Sequence, residues 1–333
     1  MATGPALQPT NEPAPQSAPA IPAPAQPAAA SVSAGAPAPD PNPSPVRRLK
    51  IRHGNRFEYD QEVGRSVHRL QLRPVHDRRQ TLVSYDLQID PAVPTYEYED
   101  VFGNWATRFE VNQPYRQMSI VAESVVELTD VDPFAFARVE KRPTFPVNWM
   151  PWEVTMLTPY LAPVELPETQ LREIYDYAMS FVVRNKHDLL ETLFDINLTM
   201  FREFTYVPQS TTNETTPFEV LKSKRGVCQD FANLVICMAR MLNIPARYVC
   251  GYIFTGNTGP SRATSDASHA WVQLYLPGVG WKGFDPTNGV LPTTDHIRVA
   301  VGRHFRDSAP ITGTLYSSAN ELLTIDVEVA EAP

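Results

Sequence analysis

The chain has 333 residues, 43% of them hydrophobic and 20% charged, with a formal net charge of −8 at pH 7. That length suits two folded units plus an extra segment, and the balance is that of a globular protein. No apolar run approaches the roughly 18 to 20 residues of a membrane span, no long Lys/Arg tract offers a footprint for nucleic acid, and three cysteines without a CxxC pair form neither a disulfide framework nor a cysteine-rich zinc site.

Residues 1–46 are mostly Ala and Pro and cannot bury enough surface to offset their ordering entropy, so a disordered, PPII-like tail is expected. Its first residues, MATGPALQPT, lack the basic and apolar regions of a secretory signal, and a cytoplasmic location follows as the default. From 47 to 131 come short runs rich in β-branched and aromatic residues, separated by turn clusters such as DPAVP and DVFGNW, which predict an antiparallel β domain. Its histidines, His53, His68 and His76, have no cysteine or acidic grouping at ligand spacing and read as ordinary strand and loop residues. Residues 132–167 are dense in Pro and aromatics and read as a linker packed over a surface. Helical periodicity begins after Pro167, with Leu171, Ile174, Tyr175, Ala178 and Phe181 or Val182 on one stripe, and a second helix is expected over DLLETLFDINLTMFREF. Pro217 suits the first turn of a further short helix. A second, helix-bearing domain is taken to run over 168–320, leaving 321–333 as a C-terminal tail.

One cysteine stands apart from the other two. In CQDFANLVICMARML the apolar residues recur at helical spacing, Gly226 relaxes the backbone just before, and Asn243 with Pro245 closes the element. A cysteine ahead of an apolar helix is ordinarily a small buried hydrophobe. Cys228, however, falls at the helix N-terminus, where free N–H groups and the macrodipole favour an anion, and where a nearby His⁺ brings a thiol from about 8.5 to roughly 3.5–7.5. Cys237, inside the same helix, and Cys250, in the strand RYVCGYIF, have no such placement and are read as structural. Asp230 lies in the first helical turn, suits the helix terminus and is also read as structural.

A thiol nucleophile needs a base, and the base needs an orienting partner. SHAWVQLYL alternates as a strand and puts His269, Trp271, Gln273 and Tyr275 on one face; WKGFDPTNG puts Trp281, Gly283 and Asp285 on one face. With a hairpin loop of three or five residues, His269 and Asp285 become diagonal neighbours across antiparallel strands, about 7 to 8 Å apart at Cα. A loop of four would set them on opposite faces. Asp266 is a competing orienter, expected in a loop. His296 and His304 fall outside this constellation and are expected on the surface. No fourth ligand stands at sensible spacing from Cys228, His269 and Asp285, so no metal is expected.

The stretches GVCQDFANL, IPARYVCGY and DASHAWVQLYLPGVGWKGFDPTNG, in that order, resemble the transglutaminase-like superfamily in its bacterial form. The resemblance spans roughly 170–318, and residues 49–131 resemble the β domain that often precedes such a core. Asn233 stands where many relatives have His, and the Ala/Pro tail has no counterpart in the pattern. The resemblance implies an α+β, papain-like core with the nucleophile on a helix N-terminus packed on an antiparallel sheet. It also implies Cys228 as nucleophile, His269 as base and Asp285 as orienter, attacking an amide carbonyl through an acyl thioester. The Cys228 backbone N–H is the natural first oxyanion donor, and Tyr206, in EFTYVP, is a candidate for the second. The expected partner is a protein or peptide substrate, with no cofactor, no nucleic acid and no membrane. The expected reaction is hydrolysis, as by a cysteine protease or amidase, with acyl transfer to an amine and a binding module without turnover as the alternatives.

Overall fold

The computed structural model describes residues 46–137, 142–208, 210–212, 214–256 and 268–333. The Ala/Pro stretch before residue 46 and the candidate Asp266 lie outside them. The first strands are β1 (Val46–Val63), β2 (Ser66–Leu70), β3 (Gln80–Asp90), β4 (Thr95–Glu99), β5 (Trp105–Val111) and β6 (Tyr115–Thr129). On β1 the odd positions Leu49, Ile51, Phe57 and Tyr59 turn inward, while Lys50 and Arg52 point out and pair with Glu123 and Asp326 at 3.1 and 2.5 Å. This is the period of two that lets one sheet face both a core and water.

The remaining elements are α1 (Pro151–Leu161), α2 (Glu168–Arg184), α3 (Leu189–Glu203), β7 (Thr205–Tyr206), α4 (Pro217–Ser223), β8 (Arg225–Gly226), α5 (Cys228–Met241), β9 (Ala246–Ile253), β10 (His269–Leu276), β11 (Gly280–Phe284), β12 (His296–Gly302), α6 (Phe305–Ser308), β13 (Ile311–Leu315) and β14 (Glu321–Glu331). They complete three antiparallel four-stranded sheets, ordered β14-β1-β6-β3, β13-β2-β5-β4 and β11-β10-β9-β12. The first two enclose a core around Phe57, Leu70, Phe109, Val111, Met118 and Ile120. Leu49, Ile51, Val126, Leu128 and Val327 then pack on Tyr252, Ile297, Val299 and Ala300, which joins the first sheet to the third.

The third sheet carries the helices. Ala270, Val272, Leu274 and Leu276 of β10 face α5, which is buried from Asp230 to Arg240 at every position but the half-buried Asn233 because α2, α3 and α4 cover its other sides. On α2 the buried stripe is Ile174, Ala178, Phe181 and Val182, while Tyr175 is exposed. No helix among the described residues is long and apolar enough to cross a membrane.

Two segments differ from the sequence reading. Residues 321–333 are not a tail: β14 pairs with β1 from Glu321↔Tyr59 to Glu331↔Leu49. Its only buried side chain is Val327, so backbone pairing holds it and little apolar patterning marks it. The Ile311–Leu315 strand likewise pairs with β2, so this part of the chain returns to the β region. Within 132–167, α1 is a true helix, with Pro151 at its first position and the Glu153 carboxylate accepting the Met150 N–H at 2.9 Å. Pro159 and a single buried residue, Leu157, hide it from a periodicity search.

Candidate functional site

Cys228 is the first residue of α5 and is half-buried, unlike the buried Cys237 and Cys250. The turn before it is built by the short parallel pair β7 and β8, in which Tyr206 lies opposite Gly226. Asp230 fixes the helix entry: its carboxylate accepts the Val227 N–H at 2.8 Å and the Thr211 hydroxyl at 2.7 Å. Burial of that carboxyl raises its pKa. Gly226 is required there, since a Cβ would stand 2.8 Å from the Asp230 Cβ. The cap therefore leaves the first N–H groups of α5 turned toward the cysteine end.

His269 opens β10. The β10–β11 hairpin closes through Pro277, Gly278 and Val279, with Leu276 opposite Gly280 and positive φ at Gly278 and Gly280. That is a loop of three residues. Extending the register places Asp285 opposite Trp271, diagonal to His269, as the alternation requires. The His269 Nε2 donates to Asp285 Oδ2 at 2.9 Å, with both side chains fully buried.

The carboxylate is also held from its own turn, accepting the N–H groups of Thr287 and Asn288 at 2.9 and 3.2 Å and the Asn288 amide at 2.7 Å. Burial opposes its charge, but His269 and His296 outweigh that and hold it well below the usual carboxylate range. For His269 the order is the same: burial alone lowers the pKa, while Asp285 first and Cys228 second overcome it and raise it to about 10. With Nε2–H committed to Asp285, the other ring nitrogen, Nδ1, has no fully formed hydrogen bond and remains for the thiol.

The Tyr206 hydroxyl stands beside the Cys228 side chain, and its ring packs edge-on against Phe231 at 6.4 Å. Burial, with the nearby Cys228 and Asp230, raises its pKa, so it stays a donor. The structure thus gathers Cys228, His269, Asp285 and Tyr206 in one place. Cys237 and Cys250 are each pushed up to about 12 by burial and stay protonated packing residues.

His296 corrects the sequence reading. It is 5% exposed, and its Nε2 donates to Asp285 Oδ2 at 3.1 Å, whereas His304 is exposed as expected. Nothing in the spacing links 285 to 296, because β12 reaches the site across β9 rather than along the chain. Trp271, with no exposed surface, stacks on His269 at 5.7 Å and meets His296 edge-on at 5.3 Å, so it fixes both rings from behind. It needs Gly251 opposite His269, where a Cβ would lie 2.8 Å from the indole and 1.9 Å from the Ile297 carbonyl oxygen.

Among the described residues, His269, Asp285 and His296 are the one group able to hold a metal, with ligand atoms all within 4.8 Å. Their hydrogens already saturate the arrangement: both Nε2–H groups point at the same Asp285 oxygen, and a cation there would have to displace both bonds and the Asn288 amide.

A cavity of about 450 Å³ is lined on one side by Gln229 and Ser268, the chain neighbours of the cysteine and the histidine. The β region closes it with His53, Asn55 and His68. Burial lowers both of these histidines to about 4, so they face the cavity uncharged at neutral pH.

Comparison with known proteins gives the family and the fold. Residues 49–127 match the bacterial transglutaminase-like N-terminal region, and residues 175–286 match the transglutaminase-like superfamily. An uncharacterized protein of Mycobacterium tuberculosis is 32% identical over 302 residues, which is 85% of this chain and 92% of that one. A crystal structure of a candidate cysteine protease from Cytophaga hutchinsonii superposes with a TM-score of 0.68 at 21% identity, covering 87% of this chain and 92% of that chain. A protein-glutamine gamma-glutamyltransferase of Pseudomonas aeruginosa is 30% identical over 93 residues, 27% of this chain and 14% of that one. The fold is a mixed α+β core of that superfamily, with an N-terminal β region.

Proposed function

Since the chain belongs to the transglutaminase-like superfamily, we propose that Cys228, His269 and Asp285 act on amide bonds through an acyl thioester and that water completes the turnover. The observation that carries this is the run of contacts from Asp285 through His269 to Cys228, with Nδ1 left free for the thiol proton. His269 Nδ1 takes that proton, and the thiolate attacks the carbonyl carbon. The tetrahedral oxyanion is met by the Cys228 backbone N–H and the Tyr206 hydroxyl, each donor contributing about 3 to 4 kcal/mol where such groups have been removed elsewhere. The intermediate collapses as the imidazolium protonates the departing amine. A water then gives its proton to His269 and attacks the thioester carbonyl, and the released thiolate recovers a proton from the ring. The cavity beside Gln229 and Ser268 offers the acyl group its approach.

The test is Cys228→Ala: peptide hydrolysis and labelling by a thiol-directed amide probe should both vanish while the thermal melt is retained. Hydrolysis at the unaltered rate would refute the proposal. A second reading, transfer of the acyl group to an amine, is favoured by the similarity to the Pseudomonas glutamyltransferase over its 93 residues. Mass analysis of products with a primary amine in excess separates the two, since transfer leaves an amide where hydrolysis leaves an acid.

A further inference from the structure

The face of the third sheet turned away from α5 opens into a different cavity, of about 400 Å³, lined by Trp271, Gln273, Trp281 and His296. Five cationic side chains surround it, Arg78, Arg79, Arg247, Lys282 and Arg298, against one carboxylate, Asp77. Asp77 is already engaged: it pairs with Arg298 at 2.7 Å and accepts the N–H groups of Arg79 and Gln80 at 2.9 and 3.2 Å. Among the described residues, no carboxylate lies within ion-pair reach of the other four.

Two of these cations make their direct contacts with neutral groups. Arg247 donates from Nε to Gln273 Oε1 at 2.8 Å and lies 4.4 Å over the Trp281 ring. Lys282 stands 5.2 Å over the Phe136 ring. Burial pushes Arg247 down to about 10, and burial with the neighbouring Arg79 pushes Lys282 down. Two deeply buried ring nitrogens of residues lining the same cavity, Trp271 Nε1 and His296 Nδ1, have no hydrogen-bond partner. The indole N–H can only donate. A chain of net charge −8 thus concentrates unneutralised positive charge and an unused donor around one hollow of small-molecule size. Buried cations without counter-charge are costly, and a bound anion removes that cost.

We propose that this cavity binds an anionic phosphate or carboxylate group, held by Arg79, Arg247 and Lys282 with the Trp271 N–H behind it. The forked guanidinium of Arg247 supplies two parallel donors to such a group. His296 and Trp271 touch both this cavity and the Asp285–His269 pair, so an occupant shares a wall with the candidate site. The assignment does not depend on the chemistry proposed for Cys228.

Calorimetric titration and thermal melts of the full chain, at fixed ionic strength, test it with pyrophosphate, citrate and a short polyglutamate peptide. Saturable binding of at least one probe is expected, with a rise in melting temperature, and Arg247→Met should weaken it about ten- to a hundredfold. Should that variant fail to fold, Arg79→Ala with Lys282→Ala, both at the rim, must produce the same weakening. Tighter binding of pyrophosphate or citrate than of polyglutamate assigns the anion to a free small molecule; the reverse order assigns it to acidic side chains of a polypeptide. No saturable binding of any probe, or binding indifferent to both sets of substitutions, overturns the proposal.

Discussion

Asp285 accepts five hydrogen bonds, two of them from imidazoles, and a carboxylate so surrounded stays ionised even without exposed surface. Asp285→Asn keeps the shape and removes the charge, so the main influence opposing burial at His269 is lost and its pKa falls. On the proposed chemistry, kcat/KM should drop about 10³- to 10⁴-fold, with the basic limb of the pH–rate profile moving down. An unshifted profile would contradict it. The buried histidines also set the response of stability to pH. His53 and His68 titrate near 4 in the folded chain against an ordinary 6.5, so the unfolded chain binds more protons between those values. Stability therefore falls as pH drops through that window, by up to about 1.4 kcal/mol per pH unit for each ring. His269 works in the opposite direction. Its folded pKa is raised, so its contribution is complete below about 6.5 and disappears as pH climbs toward about 10. Melting temperature should peak near pH 6.5 and decline on both sides, and His53→Gln with His68→Gln should flatten the acid side alone.

The entry to α5 is the element on which the site most depends. Gly226→Ala drives a methyl group into Asp230 and breaks the cap that holds the first turn. A loss of about 1 to 3 kcal/mol in urea unfolding is expected, with slower labelling of Cys228 even in the folded fraction. Unchanged labelling would mean that the cap does not position the sulfur. This start was legible in the sequence, because Gly226, the acidic Asp230 and the apolar recurrence after Cys228 all mark the same boundary. The hairpin was legible only as a choice: alternation allowed three or five loop residues, and the structure takes three. Tyr206 could be suspected from its place upstream, but what carries it to the thiol is the parallel pairing of β7 with β8, a contact between segments some way apart in the chain. His296 was not legible at all, because its meeting with Asp285 depends on the order of strands in the sheet. Periodicity reports which face a residue occupies and is silent about which strand lies beside it.

At the scale of the molecule, the β region and the helical core are held together by the Leu49, Ile51 and Tyr252 cluster and by strands that return from the far end of the chain. The two kinds of structure could be anticipated from the β-branched runs and the helical periodicity, and the α+β class from the family resemblance, whereas the returning strands could not, since β14 buries almost nothing but Val327. Removing residues 321–333 uncovers the backbone edge of β1 and one wall of the cavity beside Gln229. The shortened chain should associate through that edge, visible as larger species in size-exclusion chromatography and as faster amide exchange in β1. A monomer with unchanged exchange would show that β14 is dispensable. The pairing has a further effect during synthesis. Arg52 meets Asp326 across 274 residues of chain, so β1 leaves the ribosome long before its partner exists. Contacts of such sequence separation form slowly, and although β6 covers one edge of β1 early, the other edge stays open to solvent until residues 321–331 have been added.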